Sequence, residues 1–165
     1  MARLSAAQLQ TLWLQAGGSN GSIRIGTGQT LSLPVVMAAI ALAESREGDP
    51  AAINPGYGAG GRRTNEYSVG LWQINTLVHK NYSVDQLKDP LINAREAVRI
   101  FRLQGLRAWG AYTDGRYRQY LSTSIAAGGN GISALPSIGP MSLNMADLPM
   151  VLAMAILVYL LSPRE

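Results

Sequence analysis

Apolar residues recur at helical spacing in three stretches, each bounded by residues that start or stop helices. Ser5 with Gln8 three positions on reads as a capping box, and Leu9, Leu12, Trp13 and Ala16 then repeat until Gly17 and Gly18 end the run. This predicts a short helix with one buried face. An aromatic in such a stripe belongs with the core, so Trp13 is expected there rather than as a platform for a sugar. The second stretch has Pro34 in its first turn behind the candidate cap Ser32, and carries Val36, Met37, Ile40 and Ala43. It ends on Glu44. In the third, Ser83 and Gln86 form another capping box, and Asp89-Pro90 opens a longer helix with Ile92, Ala97, Ile100 and Phe101 as its stripe and Gly105 as its stop.

The segments between these stretches lack helical periodicity. Residues 17–30 are rich in Gly, Ser, Asn and Thr, with Ile23 and Ile25 alternating, which predicts a loop holding one short extended segment. Gly48, Asp49 and Pro50 mark a turn, and residues 56–64 form a Gly-rich loop with Arg62 and Arg63 in water. Tyr67, Ser68 and Val69 read as a short strand leading into LWQIN. The fold class that follows is mainly α, of α+β type, a helical core with a small extended lobe as the two walls of a cleft. Arg95, Arg99 and Arg102 fall on the outer face of the third helix and read as a solvated basic stripe. Trp109, Tyr112, Tyr117 and Tyr120 gather around an Asp114-Gly115 turn.

Beyond residue 125 the composition changes twice. Residues 126–142 are poor in charge and rich in Gly, Ser and Pro, as a linker would be. Leu148 to Leu161 is almost wholly apolar, with Asp147 as candidate cap. As a helix that run reaches about 21 Å, against about 30 Å of bilayer hydrocarbon. Insertion in a membrane and docking in a protein groove both remain open for it. The expected division is a domain over 1–125, a linker over 126–142 and an apolar C-terminal helix over 143–165.

Composition narrows the chemistry. The 165 residues include no Cys and one His, His79, so disulfides, thiolate metal sites and a zinc site of several His or Cys ligands are excluded. No metal and no cofactor is expected. The formal net charge of +4 suits an acidic polymer as partner, which by charge alone could be nucleic acid, an anionic membrane or a cell wall. The arginine stripe has no base-stacking aromatics interleaved, so no nucleic acid is expected. The opening MARLSAAQLQ has no long apolar run, and no secretory leader is expected there.

Glu44 is the first candidate for chemistry. It lies four residues beyond Ile40, on the apolar face of its helix, where a carboxylate loses water and its protonated form, the one a general acid needs, is favoured. The plainer reading has Glu44 ending the helix in solvent beside Arg46.

The surrounding residues decide between these. ALAES and GDPAAIN, then SVGLWQIN, then WGAYTDGRYRQYL resemble the soluble lytic transglycosylase and goose-type lysozyme family, in the short form found in phage tail lysins. The Glu-Ser pair of that family matches Glu44 and Ser45. Its Ser-x-Gly-Leu-x-Gln-Ile segment matches Ser68, Gly70, Leu71, Gln73 and Ile74, with Trp72 where Met is usual. Its Ala-Tyr-x-x-Gly segment matches Ala111, Tyr112 and Gly115, with Thr113 where Asn is usual. The signal lies in three segments in this order over residues 6 to 125.

The resemblance implies cleavage of the bond between N-acetylmuramic acid and N-acetylglucosamine in peptidoglycan, with Glu44 as acid and then base. Ser45, Ser68, Gln73, Asn75 and Tyr112 are the expected substrate contacts. Animal-type lysozymes carry a second carboxylate where this chain has Ser68, so the resemblance favours the transglycosylase branch and a 1,6-anhydro product. Glu66 is the stronger rival as second carboxylate, and Glu47, one turn from Glu44, the weaker. The expected setting is a phage virion acting at the bacterial envelope, with membrane or other virion proteins as partners of the C-terminal helix. Two other classes stay open, a catalytically silent wall-binding or structural module, and a membrane-active protein working through its tail.

Overall fold

The computed structural model describes residues 2–57 and 63–131, with side chains for all of these except residues 57, 63–66 and 129–131. The apolar segment at 143–165, the linker beyond residue 131 and Arg62 therefore lie outside the described residues. Within them the chain is an α+β lysozyme-like fold, built from helices α1 (Ala6–Gln15), α2 (Leu33–Glu44), α3 (Val84–Leu87), α4 (Pro90–Gln104), α5 (Gly110–Thr113) and α6 (Leu121–Gly131). Two 3₁₀ turns, Gly105–Ala108 and Arg116–Tyr120, join the last three. Strands β1 (Ser22–Arg24) and β2 (Thr30–Ser32) form an antiparallel hairpin. Strands β3 (Ile53–Tyr57), β4 (Arg63–Val69) and β5 (Ile74–Asn75) form an antiparallel sheet.

Both capping boxes form. Ser5 Oγ accepts from Gln8 N while Gln8 Oε1 accepts from Ser5 N, and Ser83 and Gln86 repeat the arrangement at α3. Asp89 caps α4 by accepting from the amides of Leu91 and Ile92. Ser32 occupies the cap position of α2 but makes no side-chain cap bond, so Pro34 alone marks that start.

α2 is the centre of the molecule. Every residue from Leu33 to Leu42 is buried, not one face only, because α1, α5, α6, β2 and the turn Arg116–Tyr120 pack around it. A helix surrounded in this way needs an apolar sequence on all sides, which LPVVMAAIALA supplies. Trp13 is fully buried beside it, its ring edge-on to Phe101 at 5.7 Å, with Nε1 donating to the Ser19 carbonyl. α6 runs to Gly131, through the first residues of the expected linker. Gly128 explains part of this, since a Cβ there would sit 3.0 Å from Gln10 Oε1 and 3.2 Å from Val35; the missing side chain lets α6 lie close on α1 and α2.

The extended lobe is larger than the short strand at 67–69 predicts. Ile53 pairs with Val69, Asn54 with Ser68 and Pro55 with Tyr67, and Ser68 faces Asn75 on the other side. β3 contains Asn, Pro and Gly, and a small two-sided sheet needs no strict alternation, so the sequence hid it.

Nor is the basic face of α4 simply solvated. Arg102 Nη2 donates to the Gly17 carbonyl at the end of α1. Arg99 donates twice to the buried carboxylate of Glu96, at 2.9 and 2.6 Å, and its Nη2 lies 3.0 Å from His79 Nδ1.

Candidate active site

Glu44 is the last residue of α2, so the buried helix delivers its carboxylate to the surface at a fixed place. Only 13% of the side chain is exposed. Oε1 accepts a 2.7 Å hydrogen bond from the backbone N–H of Ala111, in the first turn of α5, and Oε2 lies 4.0 Å from Arg116 Nη2. A Cβ on Gly110 would stand 3.8 Å from Oε1, in ordinary contact, so the first turn of α5 lies directly against the carboxylate. Arg46 turns away and donates to Asn54 Oδ1, so Glu44 does not stand in solvent beside it.

Arg116 is itself held. Its Nε donates to Asp114 Oδ2 at 2.7 Å, and its backbone N–H donates to Asp114 Oδ1 at 2.9 Å. The side-chain bond first, and then the backbone one, hold the Asp114 carboxyl below the ordinary carboxylate value. The same side-chain bond, with the Glu44 charge adding to it, raises the Arg116 guanidinium above its ordinary value. Glu44, Arg116 and Asp114 thus form one chain of alternating charge around the tip of α2.

Behind Glu44 the backbone turns sharply. Arg46, Glu47 and Gly48 take φ of 52°, 67° and 89°, three left-handed residues in succession, of which two are not glycine. Ser45 is what pins this turn. Its buried hydroxyl donates to the Ala41 carbonyl at 2.6 Å and accepts from Gly48 N at 3.1 Å.

A family model described as a lysozyme-like domain matches residues 22–111, more than half of the chain. The chain belongs to the lysozyme-like domain family. The match spans the hairpin, α2, the extended lobe and α4, and ends on Ala111, the residue whose amide holds Glu44. Peptidoglycan is the substrate class consistent with such a domain. No curated protein and no solved structure matches the chain.

In this lysozyme-like domain the residues carried by the resemblance divide into two groups. Ser45 is fully buried inside the turn, a structural residue rather than a substrate contact. Gln73 is occupied as well. Its Oε1 accepts from Asn54 Nδ2 at 2.7 Å, and its Nε2 donates to the carbonyls of Gly70 and Ala52, which sets the loop between β4 and β5. Asn75 Oδ1 accepts from the amides of Leu77 and Val78. Trp72 Nε1 donates to the Met37 carbonyl on α2, and Trp109 Nε1 to the Trp72 carbonyl, so the segment is welded to the helix that carries Glu44.

Ser68, next to the end of β4, and Tyr112, on α5, are half-buried. Tyr112 packs on Tyr117 with ring centroids 5.0 Å apart. Glu47 faces outward, paired with Arg3 at 2.9 Å, and its exposed side chain is removed from the site. The backbone of Glu66 lies in β4, and its side chain is outside the described ones. Among the described residues no group of three or more His, Cys, Asp and Glu could hold a metal ion.

Sequence reasoning missed Arg116, Asp114 and Asn93. Asn93 is fully buried on α4, with Oδ1 accepting from Trp72 N and Nδ2 donating to the carbonyls of Val69 and Leu87. The available signals were slight. Asp114-Gly115 read only as a turn, and neither Arg116 nor Asn93 carried a pattern of its own.

Proposed function

We propose that the chain cleaves the β-1,4 glycosidic bond between N-acetylmuramic acid and N-acetylglucosamine in peptidoglycan, as a lytic transglycosylase with Glu44 as acid and base. The observation that carries this reading is the fixed, largely buried carboxylate of Glu44, anchored through Oε1 by the Ala111 amide while Oε2 lies on the Arg116 side. A general acid needs this geometry, one oxygen held by the protein and the other left for the substrate.

In the reaction, the protonated Glu44 gives its proton to the leaving glycosidic oxygen as the bond to the muramic anomeric carbon breaks and oxocarbenium character develops. The carboxylate then removes the proton from the muramic 6-hydroxyl, whose oxygen closes on that carbon. The enzyme is regenerated protonated, and the product carries a 1,6-anhydro end. Ser68 supports this branch, because the position where a hydrolytic relative would carry a second carboxylate holds a hydroxyl. The short-form resemblance supports action at the bacterial envelope as part of a phage particle.

Glu44→Gln preserves the shape of the side chain and removes the proton, so release of fragments from purified peptidoglycan should fall by at least about 100-fold with unchanged thermal unfolding. Glu66→Gln should stay near wild type. Activity retained in the first variant, or lost in the second, would contradict the single-acid reading.

A further inference from the structure

A pocket of about 480 Å³ opens beside the candidate active site, lined by Gly26, Arg107, Tyr112, Thr113, Tyr117 and Arg118. Its walls come from the β1–β2 hairpin, from the 3₁₀ turn Gly105–Ala108 and from the two segments that hold Glu44. Ala111 binds Glu44 and its neighbour Tyr112 lines the pocket; Arg116 faces Glu44 and its neighbour Tyr117 lines the pocket. The pocket and the carboxylate are therefore linked through adjacent backbone residues.

The chemistry of the lining is specific. The guanidinium groups of Arg107 and Arg118 have no hydrogen-bond or ion-pair partner among the described residues. Arg24 and Arg95 are also without one, but neither lines this pocket; Arg3 pairs with Glu47, Arg99 with Glu96, Arg102 with the Gly17 carbonyl and Arg116 with Asp114. Two exposed guanidinium groups left unneutralised in one concavity repel each other and attract an anion. A guanidinium fork matches a carboxylate with two parallel hydrogen bonds. Arg118 Nη2 lies 3.7 Å from where a Cβ would stand on Gly26, so the turn of the hairpin borders it, and Arg24 lies along the same turn at Gly28. The half-buried ring of Tyr112, backed by the buried ring of Tyr117, adds an amphipathic surface of the kind that suits a sugar or peptide stem.

We propose that this pocket binds the carboxylate carried by the muramyl residue of the glycan, with Arg107 and Arg118 as its ligands, and so sets which bond of the strand reaches Glu44. The proposal rests on the peptidoglycan reading. N-acetylglucosamine carries no carboxylate, whereas the muramyl residue carries one on its lactyl group or, when that group is amidated, on the peptide attached to it. A cationic pocket on one side of the acid distinguishes the two alternating sugars.

The test is calorimetric binding to full-length protein with Glu44→Gln, which prevents turnover. Three tetrasaccharides serve as probes: peptide-bearing, peptide-free with a lactyl carboxylate, and an uncharged N-acetylglucosamine tetramer. At least one charged probe should bind about tenfold or more tightly than the neutral one, the expected size for charge-assisted hydrogen bonds. The probe that does so identifies the carboxylate. Adding Arg107→Gln and Arg118→Gln should abolish that preference and leave the neutral tetramer unaffected, with unfolding temperature unchanged. Equal binding of all three probes, or a preference that survives the double change, would overturn the pocket assignment. Cleavage by wild-type protein in the same preparations keeps the two claims apart, since a cleaving enzyme without the preference loses only the pocket. A protein that neither binds nor cleaves any glycan loses both.

Discussion

Gly70 takes φ of +79°, and a Cβ on it would run into Asn93 Nδ2 and the Leu87 carbonyl. Gly70→Ala adds the left-handed penalty to a collision with a buried amide and a backbone oxygen, neither of which can swing away. Unfolding free energy should drop by about 3 kcal/mol or more, read as a lower urea midpoint with unchanged slope. An alanine variant as stable as wild type would show that Asn93 does not fix this loop. The same residues show what the sequence could and could not convey. A polar side chain in a motif looks alike whether it bonds substrate or backbone, which is why Ser45 and Gln73 read as cleft contacts and prove to be internal ties. Glu44 was legible because an acid four residues past Ile40 ends an apolar run; Arg116 was not, since its importance comes from a fold that brings residues 44 and 116 together.

Among the elements, the helices with capping boxes were readable because their signals are local. Ser5, Gln8, Ser83, Gln86 and Asp89 act within four residues of themselves. β3 and the far end of α6 were not, since both depend on a neighbour. LSTSIAAGGNG is helical where it lies on α1 and α2, with Gln10 Nε2 donating to the Ser124 carbonyl, and its residues 126–131 read as a linker without them. The junction of β5 with α4 also emerges only in three dimensions. Because Arg99 can only donate, His79 Nδ1 accepts from it, and the proton of the neutral ring is on Nε2.

Loss of hydration lowers the His79 pKa from its ordinary value of 6.5, with the Arg99 charge acting in the same direction and Glu96 opposing both. A pKa lowered in the folded state means that protonation favours the unfolded chain. The stabilisation is fully present above about pH 6.5 and is lost as pH falls from there through the folded value. Urea midpoints compared at pH 8 and pH 5.5 should fall further for wild type than for His79→Gln. Equal falls would remove His79 from the account.

For the whole molecule, the sequence conveyed the architecture and its placing of one acid, because a central apolar helix, capped neighbours and a polar lobe are all patterns of composition. The division of labour within the motifs depended on which atoms meet. The assembled picture is a buried helix ending in Glu44, a lobe tied to it through Trp72 and Asn93, and a cationic pocket beside the acid. Its central claim is that a single carboxylate serves as acid and then as base, and this leaves a mark on the product. Mass spectrometry of the muropeptides released from purified peptidoglycan tests that most directly. Fragments with 1,6-anhydromuramic ends, 18 mass units (about one water) below their hydrolytic counterparts, should dominate with wild-type protein and vanish with Glu44→Gln. Reducing ends as the main product, or anhydro ends that persist in the variant, would contradict it.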